Sequence, residues 1–299
     1  MYEFKLNKIL RLVENNKFIK AEQLFKKLLK DYPNDMNIIF TYLDSLFKKR
    51  KFENIINIID KKFFSSSDQN ILRLKSVCFL EMEKPAQAVK ELEKLIKNNF
   101  DPLNFNYMGI AYGKLKKYDL AKKYFLKSID FQNNTNFIIN YINFLRDSNQ
   151  NKEAVSFIKQ HDPEMSNYDL NIILIGILRD EKRHDEALKY CEKFNQINQE
   201  DINLLLIQAI IYSEIGKKKQ CIETLEKIIQ IQPFFGPAHR VMSLLNEKIS
   251  RERLSDLEDH LAQAADNDLN SVHLGLAVSN YLENVNDFSN SFKYLKKYN

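Results

Sequence analysis

The chain has 299 residues, with 45 Lys/Arg against 40 Asp/Glu and a formal net charge of +5. A content of 44% hydrophobic and 28% charged residues excludes a disordered chain and a membrane protein. Only 6 Gly and 6 Pro occur, too few for the many turns of an all-β fold, while Leu, Ile, Lys and Glu fill the periodic stretches, so helix is expected throughout.

The N-terminal "MYEFKLNKIL" lacks the apolar centre and cleavage site of a signal peptide, and a cytoplasmic protein is expected. Residues 1–130 carry 26 Lys/Arg against 16 Asp/Glu, and residues 131–299 carry 19 against 24. The basic first half reads as a solvated Lys-rich surface, with attraction of an acidic partner as the functional alternative. The first clear helical pattern is "FIKAEQLFKKLLKDYPND", residues 18–35. The next is "YMGIAYGKLKKYDLAKKYFLKSI", residues 107–129, two short helices joined at "KLKKYD". Gly109 and Ala121 permit close approach there, and Tyr112, Tyr118 and Phe125 fill the gaps.

Ala121 belongs to a grid. Ala88, Ala121, Ala154 and Ala187 are evenly spaced; Ala21 and Ile55 precede them and Cys221 follows on the same beat. The chain has only 13 Ala, so five on one grid mark a repeat. Ile55 is not small, and its unit is expected to pack differently. Four residues after each grid position come Phe25, Ile59, Leu92, Phe125, Ile158, Cys191 and Leu225; three before come Phe18, Phe52, Pro85 and Tyr118. Pro33 and Pro233 each follow a grid residue by 12 and close their units. Two helices in a period of about 33–34 residues predict a solenoid of stacked hairpins.

The apolar runs "NIILIGIL" from 171 and "INLLLIQAIIY" from 202 are shorter than the roughly 20 residues that span a bilayer, and suit buried helices. The unit at 135–167 has a short second helix before "QHDPEMSN", where a distorted junction is expected. Beyond 235 the pattern loosens. "FGPAHRVMSLLNEKI" and "RERLSDLEDHLAQAAD" predict one hairpin, with Ser255 one period after Cys221 on the grid; "SVHLGLAVSNYLENV" and "DFSNSFKYLKKYN" predict the last. That last helix keeps Phe288, Phe292, Tyr294, Leu295 and Tyr298, where a terminal cap should turn a polar face outward. The expectation is either a poor cap or a former lead into another domain.

The pattern resembles the tetratricopeptide repeat family, on "YMGIAY…KYDLAKKYFLKSI", "FIKAEQLFKKLLKDYPND" and "QAIIYSEIGKKKQCIETLEKIIQIQP" (208–233). The resemblance implies an all-α fold, a right-handed superhelical solenoid of antiparallel hairpins, with seven units over 1–235 and two divergent ones over 236–299. It also implies a concave groove lined by first helices, the family's usual binding surface. Residues placed to face that groove are Arg73, Asn106, Asn136, Asn140, Asn143, Arg146, Arg179, Asn203 and Arg240, with Arg146 and Arg179 forming a column. Arg suits carboxylates, and Asn can pair with an extended peptide backbone. The same residues also read as merely solvated. The Lys/Asn and Lys/Arg set by which some family members grip a C-terminal carboxylate is not in register.

Catalytic signatures are missing. His161, His184, His239, His260 and His273 form no metal-ligand spacing, and no phosphate-binding glycine loop occurs. Cys78, Cys191 and Cys221 are scattered and read as reduced core thiols. Glu81/Glu83 and Glu91/Glu93 lie two apart and face different ways on a helix. The aromatics follow core positions, which argues against nucleic-acid binding. The expected function is a non-catalytic scaffold for a protein or peptide partner, with no cofactor, metal, nucleic acid or membrane insertion. An alternative rests on "AHRVMS", "VHLGLAVSNYLE" and "DFSNSFKYLKKYN". These resemble the region preceding the catalytic domain of bacterial tetratricopeptide-linked sulfotransferases, which would make the chain an enzyme's repeat module only if a further domain follows residue 299.

Overall fold

The computed structural model describes residues 2–33, 35–61, 68–98, 100–197, 200–245, 249–264 and 268–299, which form eighteen α-helices and no strand. They fall into two compact units, Met1–Gln150 and Asn151–Asn299. The first unit holds α1 (Tyr2–Glu14), α2 (Phe18–Asp31), α3 (Met36–Lys48), α4 (Phe52–Asp60), α5 (Gln69–Glu81), α6 (Pro85–Asn98), α7 (Pro102–Lys114), α8 (Tyr118–Phe131) and α9 (Thr135–Asp147). The second holds α10 (Asn151–His161), α11 (Tyr168–Asp180), α12 (His184–Ile197), α13 (Ile202–Glu214), α14 (Lys218–Ile231), α15 (Gly236–Leu244), α16 (Arg251–Gln263), α17 (Leu269–Asn284) and α18 (Phe288–Tyr298).

First and second helices start by different devices. Asp35, Asp68, Asp101, Asn134, Asn167 and Asp201 follow one another at the repeat spacing, and each side chain accepts from a backbone N–H of the first turn of α3, α5, α7, α9, α11 or α13. Such a cap satisfies donors that an α-helix leaves unpaired. The first helices then stop at a left-handed residue: Asn16, Arg50, Glu83, Lys116, Asn149, Lys182, Gly216 and Asn286 have φ between 53° and 75°. The residue after each donates its N–H five residues back, as Lys117 does to Tyr112 O at 2.9 Å and Asp287 to Leu282 O at 2.9 Å. This closes the first helix and turns the chain straight into the second: α2, α4, α8 and α14 start without a side-chain cap, while Asp287 caps α18.

The grid occupies the centre of the hairpins. Ala21, Ile55, Ala88, Ala121, Ala154, Ala187 and Cys221 are all completely buried. Gly109 on α7 faces Phe125 on α8 so closely that a Cβ there would lie 2.7 Å from the ring. Ile55 is as buried as the alanines, but α3 and α4 meet over a shorter stretch than α7 and α8. The grid shifts beyond 235. Ser255 is exposed, and Leu257, two residues on, takes the buried position, with Leu261 buried four after it. Leu257 lies one period before the buried Ser291, the last grid member. With a leucine where an alanine is needed, α15 packs instead against α17: Gly236 lies under the Asn270 carbonyl, and the Tyr281 hydroxyl donates to His239 O at 3.3 Å.

The "QHDPEMSN" junction is a built loop. α10 has 11 residues where α8 and α12 have 14. The buried Asp162 carboxylate then accepts from Ser166 N (2.8 Å), Ser166 Oγ (2.9 Å), Asn167 N (3.0 Å) and Asn171 Nδ2 (3.1 Å). Those bonds replace the missing helical turn. No helix among the described residues is long and apolar enough to cross a membrane.

Candidate functional site

Hairpin stacking decides which groove candidates are available. Arg73, on α5, is largely consumed inside the first unit. Its guanidinium pairs with Asp101, its Nε donates to Asn104 Oδ1 at 2.9 Å, and a third bond reaches Asn70 Oδ1 at 3.1 Å. Asp101 is the cap of α7, so Arg73 ties α5 to the start of the next first helix. Asn106 on α7 is buried, and its Oδ1 accepts from Asn140 Nδ2 on α9 at 3.4 Å. Asn136 and Asn143 are exposed on α9, Asn140 is half-buried between them, and the three are spaced i, i+4, i+7 on one stripe. Arg146, half-buried, lies one turn beyond Asn143.

In the second unit, Arg179 is half-buried and faces acids, Asp180 Oδ1 at 3.3 Å and Glu214 Oε1 at 3.7 Å. Arg240 on α15 donates to the Leu276 carbonyl of α17 at 3.3 Å. Asn203 is exposed in the first turn of α13, where its N–H meets the Asp201 cap at 2.9 Å. Arg146 and Arg179 belong to different units.

The α9 stripe borders a cavity of ≈ 440 Å³ in the first unit. Ile110, Gly113 and Lys114 of α7 form one wall, and Asn140, Asn143, Phe144 and Asp147 of α9 another; Lys116 comes from the α7–α8 turn, and Tyr118 and Phe125 from α8. Tyr118, read from sequence as filler, is 43% exposed with its ring 6.1 Å from Phe144. Gly113 keeps the floor open, since a Cβ there would stand 3.1 Å from Phe144. Lys114 is held across the surface by Glu83 at 2.7 Å. Sequence reasoning picked Asn140 and Asn143 but missed Tyr118, Phe144 and the charged rim. The signal was the aromatic three before the grid residue, which points toward the following first helix.

The three cysteines are not activated as nucleophiles. Burial pushes the Cys78 and Cys191 thiols up to about 12 and also raises Cys221, so all three stay protonated and inert at neutral pH. His184, read as a solvated loop residue, is instead half-buried at the start of α12, 3.7 Å from Glu214. His239 is buried, its Nε2–H donating to Pro233 O at 2.8 Å, and desolvation holds its pKa below the usual imidazole range. Among the described residues no group of three His, Cys, Asp or Glu could hold a metal ion.

Residues 102–161 match the family model of YpiA-like, C-terminal tetratricopeptide repeats, and residues 202–235 match the tetratricopeptide repeat model. No curated protein matches the chain in sequence. Solved structures that share the fold include the following two. The C-terminal part of a TPR repeat-containing protein from Cytophaga hutchinsonii is 17% identical, with a TM-score of 0.56 over 86% of this chain and 99% of that one. A tetratricopeptide repeat protein from Parabacteroides merdae is 15% identical, with a TM-score of 0.52 over 82% of this chain and 99% of that one. At that identity they speak for fold alone. The hairpin frame, its buried grid and its left-handed turns agree with both models and both folds: residues 102–161 and 202–235 are tetratricopeptide repeats, in a chain whose helical-hairpin fold is that of the two solved structures.

Proposed function

We propose that the chain is a non-catalytic scaffold that binds a protein or peptide partner along its first helices, with a principal contact at α9. The observation that carries this reading is the conjunction on α9. Asn136, Asn140 and Asn143 share one stripe, and the last two open onto the ≈ 440 Å³ cavity beside Tyr118 and Phe144. An extended peptide offers alternating N–H and C=O groups, and an Asn amide can answer both. The cavity takes one apolar side chain of the partner, and Lys114, Lys116 and Asp147 set the charge at its rim.

A displayed peptide library selected on the whole chain tests this. Selected peptides are expected to lose about 1–2 kcal/mol of affinity on Asn143→Ala and on Tyr118→Ala, as for loss of a hydrogen bond or an aromatic contact. Peptides indifferent to both substitutions would refute the α9 site. A sulfotransferase-linked module is a reading of residues 235–299 alone, and neither the family models nor the two folds above support it.

A further inference from the structure

The repeat supplies an internal standard for the α9 cavity, and two of the residues that line it depart from that standard. Eight residues before the grid stand Val13, Phe47, Leu80, Arg146, Arg179 and Ser213, but Gly113 in the unit of Ala121. Ten before the grid stand Arg11, Ser45, Cys78, Ala111, Ile177 and Ile211, but Phe144 in the unit of Ala154. The two departures face one another, since a Cβ on Gly113 would stand 3.1 Å from Cδ2 of Phe144. Space is opened on α7 and an aromatic wall is added on α9 at the same place. Tyr118 stays 43% exposed beside that space, whereas Phe52, at the same repeat position, is 8% exposed.

The inner wall of the cavity is aromatic. Tyr118, Phe125 and Phe144 line it, with Phe144 5.4 Å from Phe125 and 6.1 Å from Tyr118, and both pairs are tilted. Rings held at such angles present edges and faces to a further aromatic ring. The α9 wall ends in Asp147, four residues beyond Asn143 and three beyond Phe144, and therefore on their face of the helix. Asp147 has no hydrogen bond or ion pair from its side chain among the described residues. It is also the last residue of α9, where the helix dipole sets partial negative charge against a carboxylate. A donor from a partner would answer both. A cationic donor is disfavoured, because Lys114 and Lys116 line the same cavity, two cations against one carboxylate. An aliphatic side chain would leave Asp147 unanswered, and an acidic one would set a second carboxylate among three rings.

We propose that the α9 cavity is specific for a partner's tyrosine or tryptophan, whose ring packs among Tyr118, Phe125 and Phe144 and whose O–H or N–H is donated to Asp147. The proposal rests on the reading of α9 as the peptide site and narrows it from an apolar side chain to an aromatic one with a polar edge. Such side chains join a large apolar face to a single donor, which is the pairing the cavity presents. Gly113 is the specificity-determining position: a side chain such as Leu80 or Phe47, its counterparts in other units, would occupy the space the ring needs.

The test displays random peptides to the whole chain and sorts those that bind by their loss of binding to Gly113→Leu. Tyr or Trp is expected at one fixed position of the sorted peptides. A labelled synthetic peptide of that sequence is then measured by fluorescence anisotropy with the anchor's donor present and removed, Tyr against Phe or Trp against benzothienylalanine. Removing the donor should weaken binding to the native chain about tenfold, as for a hydrogen bond to a charged group, and binding to Asp147→Ala by less than about twofold. Should Gly113→Leu lose its helical circular dichroism, Tyr118→Leu, at a half-exposed position, replaces it in the sorting. Sorted peptides anchored by an aliphatic, cationic or acidic residue, or by Phe, would overturn the proposal and leave a peptide site at α9. An equal loss on the native chain and on Asp147→Ala would overturn it as well, with the site again intact. Peptides that bind Gly113→Leu and Tyr118→Leu as tightly as the native chain, or no selected peptide at all, would refute the α9 site itself and this proposal with it.

Discussion

The closeness of α7 and α8 can be tested with one methyl group. A Cβ on Gly109 would lie 2.7 Å from both Cδ1 and Cγ of Phe125 and 2.9 Å from Cδ2. The ring cannot move aside easily, because Tyr141 and Phe144 pack on it at 5.8 and 5.4 Å. Overpacking a core of this kind costs about 1–3 kcal/mol. Against it stands the gain of about 1 kcal/mol when alanine replaces glycine inside a helix. Gly176 in α11 provides the reference, since a Cβ there meets nothing within 4 Å. Gly176→Ala is therefore expected to stabilise its unit by up to about 1 kcal/mol. Gly109→Ala is expected to fall short of it by about 1–3 kcal/mol, the overpacking cost alone. Amide hydrogen exchange reports each helix separately, which suits stacked repeats that need not unfold in one step. The double variant Gly109→Ala/Phe125→Leu should recover part of the loss. Equal stabilisation by both single substitutions would refute the close approach of α7 to the Phe125 ring.

Other outcomes follow from the same geometry. Ala121→Leu, at a completely buried grid position, should cost about 1–3 kcal/mol, and an unmoved thermal transition would count against the repeat frame. Asp162→Ala should cost about 2 kcal/mol or more, because it strands the N–H groups of Ser166 and Asn167; faster exchange of those amides would show it. His239 is held neutral by burial, with its pKa depressed below the unfolded value of 6.5 and Arg253 opposing its protonation. The unfolded chain then binds the extra proton first, so stability is fully present above pH 6.5 and declines as pH falls from there toward the folded-state value. Urea titrations at stepped pH should show that decline shrink in His239→Phe.

The period, the hairpins and the buried column were legible because a regular beat of alanines survives in an otherwise biased composition. The frame after 235 was not. Ser255 looks like the small residue the grid demands, yet the helix is rotated so that Leu257 fills the place, and only contact with α17 reveals it. The left-handed turns were equally hidden, since Arg50, Glu83, Lys116 and Lys182 do not look like turn formers. The aspartates that cap the first helices were readable at the same spacing as the alanines and went unread. For the groove, position in a repeat gave the face of the helix but not the company on it. Arg73 faces the right way and is then engaged by Asp101, at the start of the next first helix, whereas Asn143, chosen by the same rule, opens onto a cavity. Exposed aromatics broke the core rule on α18, at Phe288 and Phe292.

The left-handed stop at the end of each first helix has a consequence for how such a chain changes length. Because the stop is a backbone conformation shared by Asn, Arg, Glu, Lys and Gly, it does not depend on the side chain at the joint. Removing residues 84–116 would join Glu83 directly to Lys117, left-handed turn to second helix, with Ala121 falling where Ala88 stood. A cut of that size, one repeat long, keeps the grid in register, whereas a cut of half a repeat would set like helices side by side and leave a hairpin without its second helix. The array is therefore quantised: it can gain or lose whole hairpins by recombination at these joints, and its reach can drift in steps while its packing stays fixed.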